Sequence, residues 1–348
     1  MKSRNKIIIK ILKGNQKKRM KKKISRMRKV KNKKGIFFTM IAISLLAITL
    51  LSILYTYSYK NRKKMESIAS RIRSMDSFVS DLDKDLERGI YIAGFRTVLG
   101  MQSVIEEKGT FLNDTEESFE EIFMNGSING TPVSIMNESY FSNWIEKIKN
   151  RALELNINAN FFVNNVTVNQ TEPWFIDVNV NMSIELNDSN KLASWNKTIV
   201  KRVKINIIGF EDPLYFINSY GKISNVINKT PYENFVIGNN TTNLLAHLNS
   251  SYYVASTKAP NFLMRFENNL TSSEQGIESL VNLQEFVNSG LQIKERSVVD
   301  YIYFDNRTTN NLCINNTLAE PDLPNWFRID TDDNHIEKYQ LTEINRSC

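Results

Sequence analysis

The sequence predicts an α+β protein in which a long N-terminal transmembrane and stem helix leads into helices packed on one face of an antiparallel sheet. Three observations predict this fold. Residues 35–59 are apolar and uncharged, residues 68–86 carry an apolar stripe with helical spacing, and residues 158–210 alternate apolar with polar residues as strands do.

The uncharged segment is long enough to cross a membrane. It has 25 residues, whereas about 20 helical residues span the hydrocarbon core and the apolar region of a cleaved secretory signal has only about 7–15. The segment ends in "YTYSY", and tyrosines favour the level of the lipid headgroups. The sequence therefore predicts a single transmembrane helix over 35–59.

Charge predicts the orientation of that helix. Residues 1–34 hold 17 Lys and Arg and no acidic residue, and four basic residues follow the segment within 60–64. The positive-inside rule then leaves the N-terminus in the cytoplasm and places the rest outside the cell membrane. From residue 65 onward the chain has 24 basic and 37 acidic residues, so the predicted external part is acidic.

The basic tail has several readings. One alternative is that the tail sets the membrane topology and has no other role. The others are that it binds anionic lipid headgroups or binds nucleic acid nonspecifically. No aromatic residue precedes Phe37, so base stacking is excluded and no specific nucleic-acid partner is expected.

Acceptor triplets for N-glycosylation, Asn-x-Ser/Thr, are abundant after the apolar segment. The chain has 17, all beyond residue 64, where chance placement of its Asn, Ser and Thr would give about 6. Asn240 overlaps Asn239, so 16 sites are predicted. They are Asn113, Asn125, Asn129, Asn137, Asn165, Asn169, Asn181, Asn187, Asn196, Asn228, Asn239, Asn249, Asn269, Asn306, Asn315 and Asn345.

The element pattern divides the chain into four predicted parts: a basic cytoplasmic tail or leader (1–34), the transmembrane helix (35–59), a helical stem (60–108) and an external glycosylated α+β domain (109–348). The stem stripe fits either an amphipathic helix lying on its own domain or a short coiled coil, and Gly89 is expected to break or bend it.

Further helices are expected over 90–107, 115–124 and 141–155, with Asp114 or Thr115 as a cap. Three long antiparallel strands are expected in "NANFFVNNVTVNQ", "PWFIDVNVNMSIEL" and "SWNKTIVKRVKINIIGF". Beyond them, "EDPLY" predicts a turn, "APNFLMRFENNL" and "GIESLVNLQEFVNSG" predict short helices, and "VVDYIYF" and "NWFRID" predict strands.

Residues suited to catalysis are scarce. The chain has two cysteines, Cys313 and Cys348, which form a disulfide or remain two free thiols, and two histidines. No phosphate loop, nucleophile elbow or zinc motif is present, so no enzyme, metal or cofactor is expected. The alternative is a membrane-anchored lumenal or surface enzyme of glycosyltransferase type that uses Asp330 and Asp332 as an Asp-x-Asp metal site; a calcium loop that adds Asn334 is a further reading.

The stretch "KKGIFFTMIAISLLAITL" resembles the class III signal of archaeal type IV pilins and pilin-like surface proteins, in which a basic run ends in Lys-Gly before an apolar helix. The resemblance implies that a membrane peptidase cleaves between Gly35 and Ile36 and that the N-terminal helix supports a homo-oligomer or pilus-like assembly. Many pilins have Glu at the fifth mature position, where this chain has Met40. A minor pilin-like component or a lone surface anchor is therefore expected, with a structural or adhesive role and no catalysis.

Overall fold

The first helix, α1, spans Lys2–Lys108 in the computed structural model. The structure describes residues 2–305 and 307–348, apart from the side chains of residues 2–13 and 26–34. The chain divides into two compact units at the boundary between Arg73 and Ser74.

In the first unit, every side chain from 35 to 59 is exposed. The most apolar window of the helix has a mean hydropathy of 2.5, and none of it is buried. Over the described residues, one helix is long and apolar enough to cross a membrane.

In the second unit, the remaining part of α1 carries a buried stripe that includes Met75, Leu82 and Leu86. This part of the predicted stem therefore lies on its own domain, which is one of the two arrangements that its apolar spacing allowed. The helix continues through Gly89 without a break, contrary to expectation. A Cβ at Gly89 would lie 2.8 Å from the ring of Trp144, so the glycine permits close packing.

Three long strands follow the first helices: β3 (Ile157–Glu172), β4 (Phe175–Asp188) and β5 (Ser194–Asn206). The elements before them are α2 (Thr115–Asn125), the short strands β1 (Ser127–Ile128) and β2 (Thr131–Pro132), and α3 (Phe141–Glu154). The three long strands form an antiparallel sheet in the order β3-β4-β5.

One face of this sheet is covered by helices. Alternate residues of β4, from Ile176 to Leu186, are buried, and both α2 and α3 contact β3. A Cβ at Gly94 of α1 would lie 2.8 Å from Ile205 and 3.1 Å from Val178, so α1 also packs closely on the sheet. The α+β fold with a long apolar N-terminal helix followed by antiparallel sheets is confirmed.

The last third of the chain consists of short elements. They are α4 (Pro213–Asn218), α5 (Thr242–Asn249), β6 (Tyr253–Ala255), α6 (Phe262–Arg265), β7 (Ile277–Ser279), α7 (Leu283–Asn288), α8 (Asp300–Tyr303), β8 (Asn311–Ile314), β9 (Arg328–Asp330), α9 (His335–Lys338) and β10 (Asn345–Ser347). Strands β6 and β7 pair antiparallel, and β10, β8 and β9 form a sheet in that order.

Three predictions in this region are wrong. "VVDYIYF" contains α8 and not a strand. Its residues are all buried, and the spacing of apolar residues in so short a run cannot distinguish a helix from a strand. "EDPLY" begins a helix, since the Asp212 side chain caps the backbone N–H of Leu214 and Pro213 occupies the first turn. The beginning of "GIESLVNLQEFVNSG" is the strand β7.

Candidate functional site

The apolar segment 35–59, here called the anchor segment, is the first candidate functional site. Its side chains face outward with no covering protein, and they include Phe37, Phe38 and Leu51. Four hydroxyls in the segment donate to a backbone carbonyl three or four residues earlier, at 2.8–2.9 Å. These hydroxyls, on Thr39, Ser44, Thr49 and Thr56, therefore bring no unpaired donor into an apolar surrounding.

Most of the predicted glycosylation sites that the structure describes lie at the surface. Of the 17 acceptor asparagines, Asn306 lies outside the described residues, 13 are exposed, and Asn181, Asn315 and Asn345 are half-buried. The side-chain nitrogen of Asn345 is the most firmly engaged, because it donates to the carbonyls of both Leu341 and Thr342 at 2.9 Å, whereas that of Asn228 donates to one carbonyl at 3.4 Å. That nitrogen is the atom to which an N-linked glycan would be attached.

The two cysteines form a disulfide in the structure. Cys313 on β8 is bonded to Cys348, 35 residues later. Strand β10 pairs with β8 just before Cys348, so the bridge holds the C-terminal residue against the sheet.

The second unit also contains a buried ionic cluster, here called the Arg265 cluster, that sequence reasoning did not find. Arg265 is fully buried, and its Nη1 lies 2.5 Å from Asp212 Oδ2 and 2.9 Å from Asp300 Oδ2. Its Nη2 donates to the carbonyl oxygen of Ile277. Asp300 also accepts hydrogen bonds from the backbone N–H and the hydroxyl of Ser279, so its carboxylate is well satisfied.

A second buried cluster, the His335 cluster, lies around the imidazole of His335. Nδ1 lies 2.7 Å from Asp330 Oδ2, and Nε2 lies 3.4 Å from Glu278 Oε2. Burial alone would lower the pKa of His335, but its hydrogen bond to Asp330 and the negative charge of Glu278 raise it to about 9. The imidazole is therefore protonated at neutral pH and neutralises part of the charge of the two carboxylates.

Glu278 is held ionised in the same cluster. Burial would raise its pKa, yet His335 and Lys338 lower it to about 2. Tyr339 donates to Glu278 Oε1 at 3.0 Å, and Lys338 Nζ lies 2.9 Å from the same oxygen. Because these carboxylates are buried and already paired, the cluster suits stabilisation of the fold.

The Asp-x-Asp pair does not form one site. Asp330 is buried and hydrogen-bonded to Ser297 and His335, whereas Asp332 is exposed. Across the described part of the chain, no group of three or more His, Cys, Asp or Glu residues is placed to hold a metal ion.

The buried clusters leave only weak signals in the sequence. Arg265 interrupts the apolar run "NFLMRF", and a charged residue inside such a run predicts a buried partner without identifying it. Its partners are 53 and 35 residues away.

Comparisons with models of protein families, with curated proteins and with solved structures each found no significant match to this chain.

Proposed function

We propose that this protein is a single-pass glycoprotein of the cell surface with a structural or adhesive role. The observation that carries the proposal is the anchor segment, whose apolar side chains are all exposed and whose hydroxyls at positions 39, 44, 49 and 56 are bonded to the helix backbone. Such a surface is unfavourable in water and favourable in a lipid bilayer.

Charge supports an external second unit. The 17 basic residues before the anchor segment exceed the four that follow it, which favours a cytoplasmic N-terminus. The acidic composition after residue 64 gives this body a net negative charge, which an anionic inner leaflet would repel.

The exposure of the acceptor asparagines supports glycosylation of this external body. An oligosaccharide transferase needs an accessible asparagine side chain, and 13 of the described acceptors are exposed on the surface. Glycans at these positions would keep an asparagine-rich surface soluble.

We further propose a pilin-like role for this surface glycoprotein. The Lys-Gly junction at Gly35 and the apolar helix that follows it support cleavage before Ile36 and association of copies through the anchor segment. Met40 has no carboxylate to pair with the N-terminal amine of a neighbouring copy, which favours a minor component or a lone anchor. The partners proposed are the membrane, crossed once, and further copies of this chain.

The N-terminal residue of the chain purified from its native membrane tests the pilin-like role. Mass spectrometry is expected to find Ile36, because a class III signal is cut after the glycine. Replacing Gly35→Leu should then leave the leader attached, whereas Gly14→Leu alters the other Lys-Gly pair of the tail and should not change cleavage. A chain that begins at Met1 in its native membrane contradicts the pilin-like role.

A further inference from the structure

A groove of about 860 Å³ lies between α1 and the sheet of the second unit. Lys84, Glu87, Arg88 and Tyr91 line it from α1, and Arg202 and Lys204 line it from β5, together with Glu172 at the end of β3. This surface is here called the Arg202 groove. Its size matches that of sites for small ligands, about 300–1,000 Å³.

Hydrogen bonds to Asp177 and Thr171 hold the side chain of Arg202 in place. Its Nε and Nη2 donate to the two carboxylate oxygens of Asp177, each at 2.8 Å, and Nη2 also lies 2.6 Å from the hydroxyl of Thr171. The side chain of Asp177 is fully buried, whereas that of Arg202 is 50% exposed. A buried carboxylate therefore fixes an accessible guanidinium at the wall of the groove.

Both groups of this pair are ionised. Burial alone would raise the pKa of Asp177, but hydrogen bonds from Arg202 and Thr171 hold it below its usual value. The third nitrogen of the guanidinium, Nη1, has no acceptor among the described residues, so it can donate to a ligand.

Two more cations face Arg202 from α1. Lys84 and Arg88 are four residues apart, so they lie one above the other on the same side of the helix. Both are exposed, and neither forms an ion pair with another described residue. Lys204, in contrast, is paired with Glu172. The groove thus collects unpaired positive charge on a body that is acidic overall.

The other lining residues restrict the ligand further. Tyr91 is 44% exposed, and its ring is an apolar surface that suits the C–H face of a sugar ring. Glu87 and Glu172 accept hydrogen bonds from hydroxyls. A ligand that satisfies all of them has a carboxylate, several hydroxyls and an apolar ring face.

From this arrangement we infer that the Arg202 groove binds an acidic saccharide, with a uronate carboxylate held by Arg202, Arg88 and Lys84 and with its ring against Tyr91. The inference goes beyond surface anchoring, because it assigns a carbohydrate ligand to the second unit.

Binding of tri-galacturonate to the detergent-solubilised full chain tests the inference, with calorimetry in 0.15 M NaCl. The double variant Lys84→Gln/Arg88→Gln should bind at least tenfold more weakly, because two cations that contact the carboxylate are lost. The matched control Lys191→Gln/Lys197→Gln removes two exposed cations outside the groove and should bind like the unaltered chain. Thermal unfolding curves that match that of the unaltered chain show that each variant is folded.

Two further binding measurements distinguish a saccharide site from a simple anion site. Tyr91→Ala should weaken tri-galacturonate about fivefold, since the ring face loses its support, and neutral maltotriose should bind at least tenfold more weakly than tri-galacturonate. The inference is overturned if tri-galacturonate does not bind, if inorganic phosphate competes with it at equal concentration, or if the Lys84→Gln/Arg88→Gln variant binds unchanged.

Discussion

Arg265 illustrates what single residues contribute to this fold. It is buried between two carboxylates from distant parts of the chain, Asp212 and Asp300, and its Nη2 donates to a backbone carbonyl. The short helix around Arg265 could be predicted from the local apolar run, but the ion pairs could not. Their partners are set by how the short elements of the last third pack together, and no local pattern encodes that packing.

Replacing Arg265→Met should destabilise the second unit by about 3–5 kcal/mol, because two buried carboxylates lose their counter-charge. The measurement is the free energy of unfolding of the full chain in detergent, followed by the fluorescence of tryptophans that all lie beyond residue 143. The control Lys204→Met breaks an exposed ion pair with Glu172 and should cost at most about 1 kcal/mol. Equal losses in the two variants would contradict a stabilising role for the Arg265 cluster.

The two histidines predict a stability maximum near pH 6.5. Burial lowers the pKa of His247 to about 4, so its contribution is present above pH 6.5 and is lost as the pH falls toward 4. The pKa of His335 is raised to about 9, so its contribution is complete below pH 6.5 and is lost as the pH rises through 9. The free energy of unfolding, measured from pH 5 to 10, should therefore fall on both sides of the maximum.

The alkaline side of this profile is assigned to His335. In the variant His335→Gln the decline between pH 6.5 and 9 should disappear, while the decline below pH 6.5 should remain. A variant that keeps the full alkaline decline would show that another group causes it.

The longer helices and strands could be predicted from the sequence, whereas the shortest could not. The strands β3, β4 and β5 each have 13 or more residues, and their alternation identified all three. The helices α2 and α3 were predicted within one residue at each end. The four-residue helix α8 lies where the sequence predicts a strand, because four buried residues fit helical and strand spacing equally well.

The helix break expected at Gly89 is absent for a different reason. Glycine commonly ends helices, but here it lies in the interior of α1, where the ring of Trp144 packs against it. The role of this glycine is visible only once the partner from α3 is placed, so the sequence around residue 89 could not reveal it.

The variant Gly89→Ala tests this packing. Alanine in an exposed helix interior usually stabilises by about 1 kcal/mol relative to glycine. At position 89 the added Cβ would lie 2.8 Å from the Trp144 ring, so we expect a loss of about 1–3 kcal/mol from overpacking. In a Trp144→Leu background the same change should be neutral or stabilising, and a loss that persists in that background contradicts the explanation.

At the scale of the whole molecule, a helix with an exposed apolar segment precedes a folded unit with its own core and a C-terminal disulfide. Composition predicts the exposed apolar segment, but not the boundary between the two compact units at residues 73 and 74, which lies inside the predicted stem (60–108). The Arg202 groove could not be predicted, since its lining residues on α1 (84–91) and on β5 (202–204) are more than 100 residues apart in the sequence.

The central claim is that the second unit lies outside the membrane and carries glycans. Glycopeptide mass spectrometry of the full chain from its native membrane tests it most directly. We expect added sugar mass on peptides with exposed acceptors such as Asn113 and Asn196, and none on Asn345, whose side-chain nitrogen is bonded to two carbonyls. Unmodified masses for every acceptor peptide would contradict an external glycosylated body.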